Sequence, residues 1–138
     1  MTGTLIFKKH ISKQDVLEKF PNTIFLFGDN MRRQGYGGQA STMRGHPNSF
    51  GVPTKWAPDT QKASYFKDED FEFVEDAIRF PLTIAYAFMM IGKTVVVPTD
   101  GLGTGLAELP TRAPKIFAFI ENRIAMLANN ATTINHED

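Results

Sequence analysis

The chain has no cysteine, which excludes disulfides, thiolate catalysis and zinc–thiolate centres and leaves a reducing compartment open to it. It has no surplus of charge either. Lys plus Arg and Asp plus Glu stand at 15 each, so no overall field draws in polyanions and nucleic acid is an unfavoured partner. His10, His46 and His136 lie far apart without ligand spacing and read as solvated surface residues, so neither a metal nor a cofactor is expected. The opening MTGTLIFKKH lacks the long apolar run of a signal peptide or membrane anchor. A cytoplasmic protein with no membrane partner is the expectation.

What is present is ordinary globular composition, with 138 residues of which 42% are hydrophobic. That length supports one core, hence a single domain over 1–130, with the aperiodic residues 131–138 as a frayed polar tail. Thr4 to Lys8 reads as a short strand. Ser12 and Asp15 then form a near-match to a capping box ahead of a short helix that ends near Lys19. TIFLF, from Thr23, is a continuous apolar run and so a strand buried on both faces. GGQASTMR starts a short helix past its glycines, and Ser49 to Pro53 is a brief extended piece. Trp56 to Asp70 shows no period and reads as a surface loop or flap able to cover a ligand.

Residues 71–91 carry Ile78, Leu82, Ala85 and Met89 on one helical stripe, with Pro81 expected to kink or divide the helix. Past Pro81 the pattern is apolar nearly all round, which predicts deep burial. TVVVP, from Thr94, is a second buried strand, and APKIFAFIENRIAMLAN closes the fold as a helix with Pro114 in its first turn. Strands alternating with helices predict an α/β domain of three layers, α/β/α, around a mixed, mostly parallel sheet. In such sheets ligands bind beyond the carboxyl ends of the strands.

The glycines fall where that rule points. Of 11 in the chain, six lie between Gly28 and Gly51 and three between Gly101 and Gly105, directly after the two most buried strands. Glycine is retained where φ must be positive or where backbone must approach something closely. Consecutive N–H groups converging after a strand suit phosphate oxygens, so two such loops predict a diphosphate site. GLGTGLAEL lacks the Gly-Lys-Ser/Thr ending of a Walker A loop, which argues against nucleoside triphosphate hydrolysis. GYGGQA fits G-x-G-x-x-A, but GDNMRRQ separates it from its strand, and the match is treated as accidental.

Asp29 and Asn30 stand at the carboxyl end of the first strand, where they can take sugar hydroxyls, although turn or cap roles are common for both. Asp100 stands at the matching end of the second and is the strongest candidate acid or base. Lys55 can neutralise phosphate or, in a dry site, act as base or nucleophile, though such a lysine is more often simply exposed. Arg32, Arg33 and Arg44 read as solvated more often than bound, although Arg44, just before Gly45, can pair with phosphate or with Asp29. Tyr36 and Trp56 are candidates to stack on a purine. The remaining expected ligand contacts are Gly28, Gly35, Gly37, Gly38 and Gln39, then Thr54, and Thr99, Gly101, Leu102, Gly103, Thr104 and Gly105.

FGDN-x6-GGQA from Phe27, PTKW from Pro53 and DGLGTGL from Asp100 resemble a small macrodomain-like family of bacteria and their phages, over roughly Ile24 to Phe119. The resemblance implies a domain that binds ADP-ribose or a related NAD-derived nucleotide. Hydrolysis of an ADP-ribosyl bond, with an ADP-ribosylated macromolecule as partner, is one version; a non-catalytic module that senses or sequesters the nucleotide is the other. By analogy Asn30 contacts the distal ribose, Gly35, Gly37 and Gly38 form the first loop, and Gly101, Gly103, Thr104 and Gly105 wrap the diphosphate. The enzymatic version has Asp100, with Asp29 or Lys55, activating water or a sugar hydroxyl. The chain departs from the macrodomain pattern in having Phe-Gly-Asp-Asn for Asn-Ala-Ala-Asn and no early Gly-Asp-Ile.

Overall fold

Side chains of alternating parity along the central strands pack into two separate cores, which is how a sheet covered on both faces must divide its residues. The computed structural model describes residues 2–136. Its strands are β1 (Thr4–Lys8), β2 (Thr23–Asn30), β3 (Ser49–Lys55), β4 (Thr94–Pro98) and β5 (Thr132–His136), and its helices α1 (Ala40–Met43), α2 (Phe71–Met90), α3 (Leu109–Arg112) and α4 (Pro114–Asn129). The strand order is β3-β2-β4-β1-β5. Every pairing within it is parallel, so the sheet is purely parallel rather than mixed.

Leu5, Ile24, Leu26, Val95 and Val97 face α2, α3 and α4 in the larger core, where Ile78, Leu82, Ile116 and Ile120 are fully or almost fully buried. Ile6, Phe25, Phe27 and Val96 face the other way, onto Ile11, Val16, Ala40 and Met43. The domain is therefore a three-layer α/β/α fold with one heavy helical layer and one thin one. The thin layer is a π-helical turn over Asp15–Lys19 and the short α1. The Ser12 and Asp15 box forms as expected: each backbone N–H donates to the other's side chain, at 2.9 and 3.1 Å.

Four expectations need correction, in whole or in part. Helix α2 runs unbroken for 20 residues with Pro81 inside it. Its residues past Pro81 bury one stripe only, leaving Met90 40% exposed, and Ile91 just past the helix end is 63% exposed. The segment after Trp56 is a surface loop over 58–63, as expected, and brings Pro58 to the cleft, but its later part is anchored. It buries Tyr65 and Phe66, bridges Lys55 to Tyr65, and fixes Trp56 through an indole N–H donated to Asp70 Oδ2 at 3.0 Å. Finally, Thr132–His136 is not frayed but pairs with β1 as edge strand β5, because backbone groups pair without apolar side chains. Residues 137–138 of the expected tail, like residue 1, lie outside the described residues.

Among the described residues no helix is long and apolar enough to cross a membrane.

Candidate functional site

The β2–β4 ladder ends at the Phe25–Val96 pair, yet β2 continues to Asn30 along β3. Past that point the strands part, and a cleft of about 500 Å³ opens over the carboxyl ends of β2, β3 and β4. The connections after β2 and β4 leave toward opposite faces, to α1 on one and α3 on the other. This is the crevice at which parallel α/β sheets bind ligands.

Residues 34–40 form one wall, from the loop after β2, and residues 98–101 and 103–107 the other, from the loop after β4. The walls meet at their base, where a Cβ added to Gly28 would lie 3.7 Å from the Gly103 nitrogen. Gly35, Gly38, Gly101 and Gly103 all have φ between 56° and 91°, which only glycine adopts without strain. The backbone N–H groups of residues 35–39 and 102–107 donate to no acceptor among the described residues. Two rows of unpaired donors thus flank the cleft, the arrangement that suits oxyanions.

Asp29 is buried, and its carboxylate is fully engaged. Arg44 grips it at two points, 2.5 and 3.2 Å, Arg33 adds a third contact at 3.2 Å, and the Asn30 backbone N–H donates at 2.8 Å. Arg44 also donates from Nε to the Gly35 carbonyl at 2.7 Å and from Nη2 to that of Gln34 at 3.2 Å. Arg44 therefore holds the first loop in shape and has paired with Asp29. Asn30 likewise closes its own turn: Nδ2 donates to the Gln34 carbonyl at 2.7 Å and Oδ1 accepts from the Arg32 N–H at 3.1 Å. The register shift between Asp29 and Asn30 lets both consecutive residues serve this corner.

Lys55 is buried in the cleft wall. Its Nζ donates to the Asp59 carbonyl at 2.7 Å and sits 4.2 Å from the centre of the Tyr65 ring. Burial pulls the ammonium below its ordinary value, with Arg112 acting in the same direction against Asp59 and Glu108. Asp59 is itself held low by hydrogen bonds from Ser64 and the Gln61 N–H. Thr54, also buried, donates its hydroxyl to the Asp29 carbonyl at 3.1 Å.

Asp100 differs from Asp29 in every respect. It is exposed on the cleft wall and its carboxylate makes no hydrogen bond or ion pair among the described residues. Thr99, Thr104, Gly105 and Gln39 also line the cleft, as does Tyr36, which is 69% exposed at its mouth. Two expected contacts fall elsewhere. Leu102 is buried in the larger core, and Trp56 packs edge-on against Phe66 with ring centres 5.3 Å apart, away from the cleft.

Residue patterns did not single out Lys9, Gln34 or Leu106, all of which line the cleft. Lys9 directly follows β1, so the same carboxyl-end rule that found Asp100 applies to it. Leu106 is 70% exposed and faces the opposite loop, where a Cβ on Gly37 would come within 3.1 Å of its Cδ1. An apolar residue left exposed inside a glycine loop was its available signal. Among the described residues no group of three His, Asp or Glu side chains gathers for a metal ion.

The chain belongs to a family of unknown function, DUF7831, whose family model matches residues 6–123. No curated protein and no solved structure matches it.

Proposed function

We propose that the cleft binds ADP-ribose or a related NAD-derived nucleotide. The observation that carries this reading is the pair of facing glycine loops, each offering unpaired backbone N–H groups at the ends of neighbouring parallel strands. A diphosphate fits between such rows, and the exposed Lys9 ammonium adds charge on the same side. Tyr36 and Leu106 supply an apolar mouth for a base, while Thr99 and Asp100 are placed for sugar hydroxyls. The volume of about 500 Å³ lies within the usual range for a ligand of this size.

Hydrolysis of an ADP-ribosyl bond, on this reading, rests on Asp100. Asp29 is neutralised by two guanidinium groups and Asn30 is committed to its turn, so neither takes a proton from water. Asp100 alone offers an uncommitted carboxylate to act as general base. The same commitments favour a second reading, in which the domain holds the nucleotide without turning it over. Incubation with ADP-ribosylated protein separates them. Release of ADP-ribose that Asp100→Asn abolishes supports the enzyme; unchanged substrate together with saturable ADP-ribose binding supports the module; absence of both rejects the proposal.

A further inference from the structure

Helix α2 has two apolar faces, and its own domain uses one. The core stripe contains Val74, Ile78, Leu82, Ala85 and Met89. On another side lie Phe73, Ala77, Phe80, Ile84 and Ala87, continued by Ile91 just past the helix end, spaced by alternate steps of four and three. Phe73 is 72% exposed, Phe80 66% and Ile91 63%. Helix α4 does not cover them, because it meets α2 on the opposite flank, across the groove lined by Leu82, Thr83, Tyr86 and Arg123.

We propose that this stripe is the interface of a homodimer, with α2 of one copy packed antiparallel against α2 of the second. A strict seven-residue repeat is the period of two helices wound about each other, so the spacing asks for a helical partner of similar length. The spacing is also palindromic. Reversing one helix about the level of Leu82 sets Phe73 opposite Ile91, Ala77 opposite Ala87 and Phe80 opposite Ile84, each pair occurring twice. Rings meet branched aliphatics, and alanine meets alanine where backbones come close. A second copy of this chain meets the pattern without any further partner.

Charge selects the direction. Glu69, just before α2, and Glu72, in its first turn, make no ion pair among the described residues, whereas Glu75 and Asp76 are paired with Arg79 of the same helix; Lys93 follows the helix end. Antiparallel packing brings the acidic end of each helix to the partner's lysine, and it opposes the helix dipoles. Parallel packing would set acid against acid. Taking ~200 Å² for each large side chain, Phe73, Phe80 and Ile91 expose roughly 400 Å² per copy. Two copies contribute ~800 Å² from these three positions, and Ala77, Ile84 and Ala87 of each copy extend the contact toward the ~1,000 Å² that a specific interface should clear.

Sedimentation of the full chain over a wide concentration range tests this, with circular dichroism to verify folding. The expected result is a species of twice the 15.4 kDa chain mass, and Phe80→Glu, an exposed site, should weaken association by about a thousandfold without unfolding, since the central ring is lost twice. Because the chain has no cysteine, orientation can be read directly. Ala77→Cys mixed with Ala87→Cys should form the mixed disulfide, and neither variant alone should cross-link efficiently. A wild-type chain that stays monomeric overturns the proposal, whether it remains free or sediments with phosphatidylcholine vesicles. So does a dimer that Phe80→Glu leaves intact, or efficient self-cross-linking of Ala77→Cys.

Discussion

Arg44 binds Asp29 through both terminal nitrogens while its Nε holds the carbonyl of Gly35. One side chain thereby ties a buried carboxylate at the end of β2 to the glycine loop that forms the cleft wall. The pairing turns a residue expected to do chemistry into a scaffold.

Arg44→Ala should accordingly cost about 3 kcal/mol of stability, because it leaves Asp29 buried against the half-exposed Arg33 alone. Arg44→Lys keeps the charge but not the planar fork, and should recover less than half of that loss. Urea denaturation of the three chains measures it. Equal stability of wild type and Arg44→Ala would contradict the scaffold role.

Glycine positions should separate by what a side chain would meet. A Cβ on Gly51 falls 2.7 Å from Asp29 Cβ, and one on Gly103 2.8 Å from Leu109 Cδ2 with φ at +82°. Gly38 also has positive φ, but nothing lies within 4 Å. Alanine at 51 or 103 should therefore cost about 2–4 kcal/mol, and at 38 about 1–2 kcal/mol, by thermal denaturation.

Glu121 lies beneath the second loop, where a Cβ on Gly101 would meet its Oε1 at 3.0 Å. Burial raises its carboxyl above the ordinary 4.5. The folded chain therefore holds this proton more tightly than the unfolded chain, and the group's contribution falls as pH rises from about 4.5 through the folded value. Glu121→Gln should stabilise the protein at neutral pH. The gain should vanish in acid below the ordinary carboxyl value, and a gain independent of pH would show another cause.

Strand β5 covers the β1 edge by backbone pairing, with every side chain from Thr132 to His136 exposed. Removing residues 131–138 should cost about 2 kcal/mol of ladder hydrogen bonds and increase aggregation through the bared edge. Unfolding and light scattering of the truncated chain check both.

The layered α/β fold was legible because TIFLF and TVVVP are continuous apolar runs, and because glycines crowd after each of them. The cleft followed from the same two facts. Tail residues Thr132–His136 were illegible as a strand since an exposed edge needs no alternation. The roles of Asp29 and Asn30 were open because Arg44, 15 residues from Asp29, and the Gln34 carbonyl reach them only in three dimensions. Trp56 looked like a stacking platform beside PTK, but Asp70 and Phe66, both later in the chain, hold it elsewhere. The apolar surround of α2 past Pro81 pointed to deep burial, but residue types alone do not show how many neighbours a helix has, and this chain buries only one stripe of it.

Calorimetric titration with ADP-ribose, with AMP and ribose 5-phosphate alongside, tests the central claim most directly. The account predicts saturable one-to-one binding of ADP-ribose, tighter than either fragment, and at least about tenfold weaker when Tyr36→Ala and Leu106→Ala are combined. Absence of ADP-ribose binding by a folded wild-type chain, or binding indifferent to both the cleft mouth and the second phosphate, would contradict it.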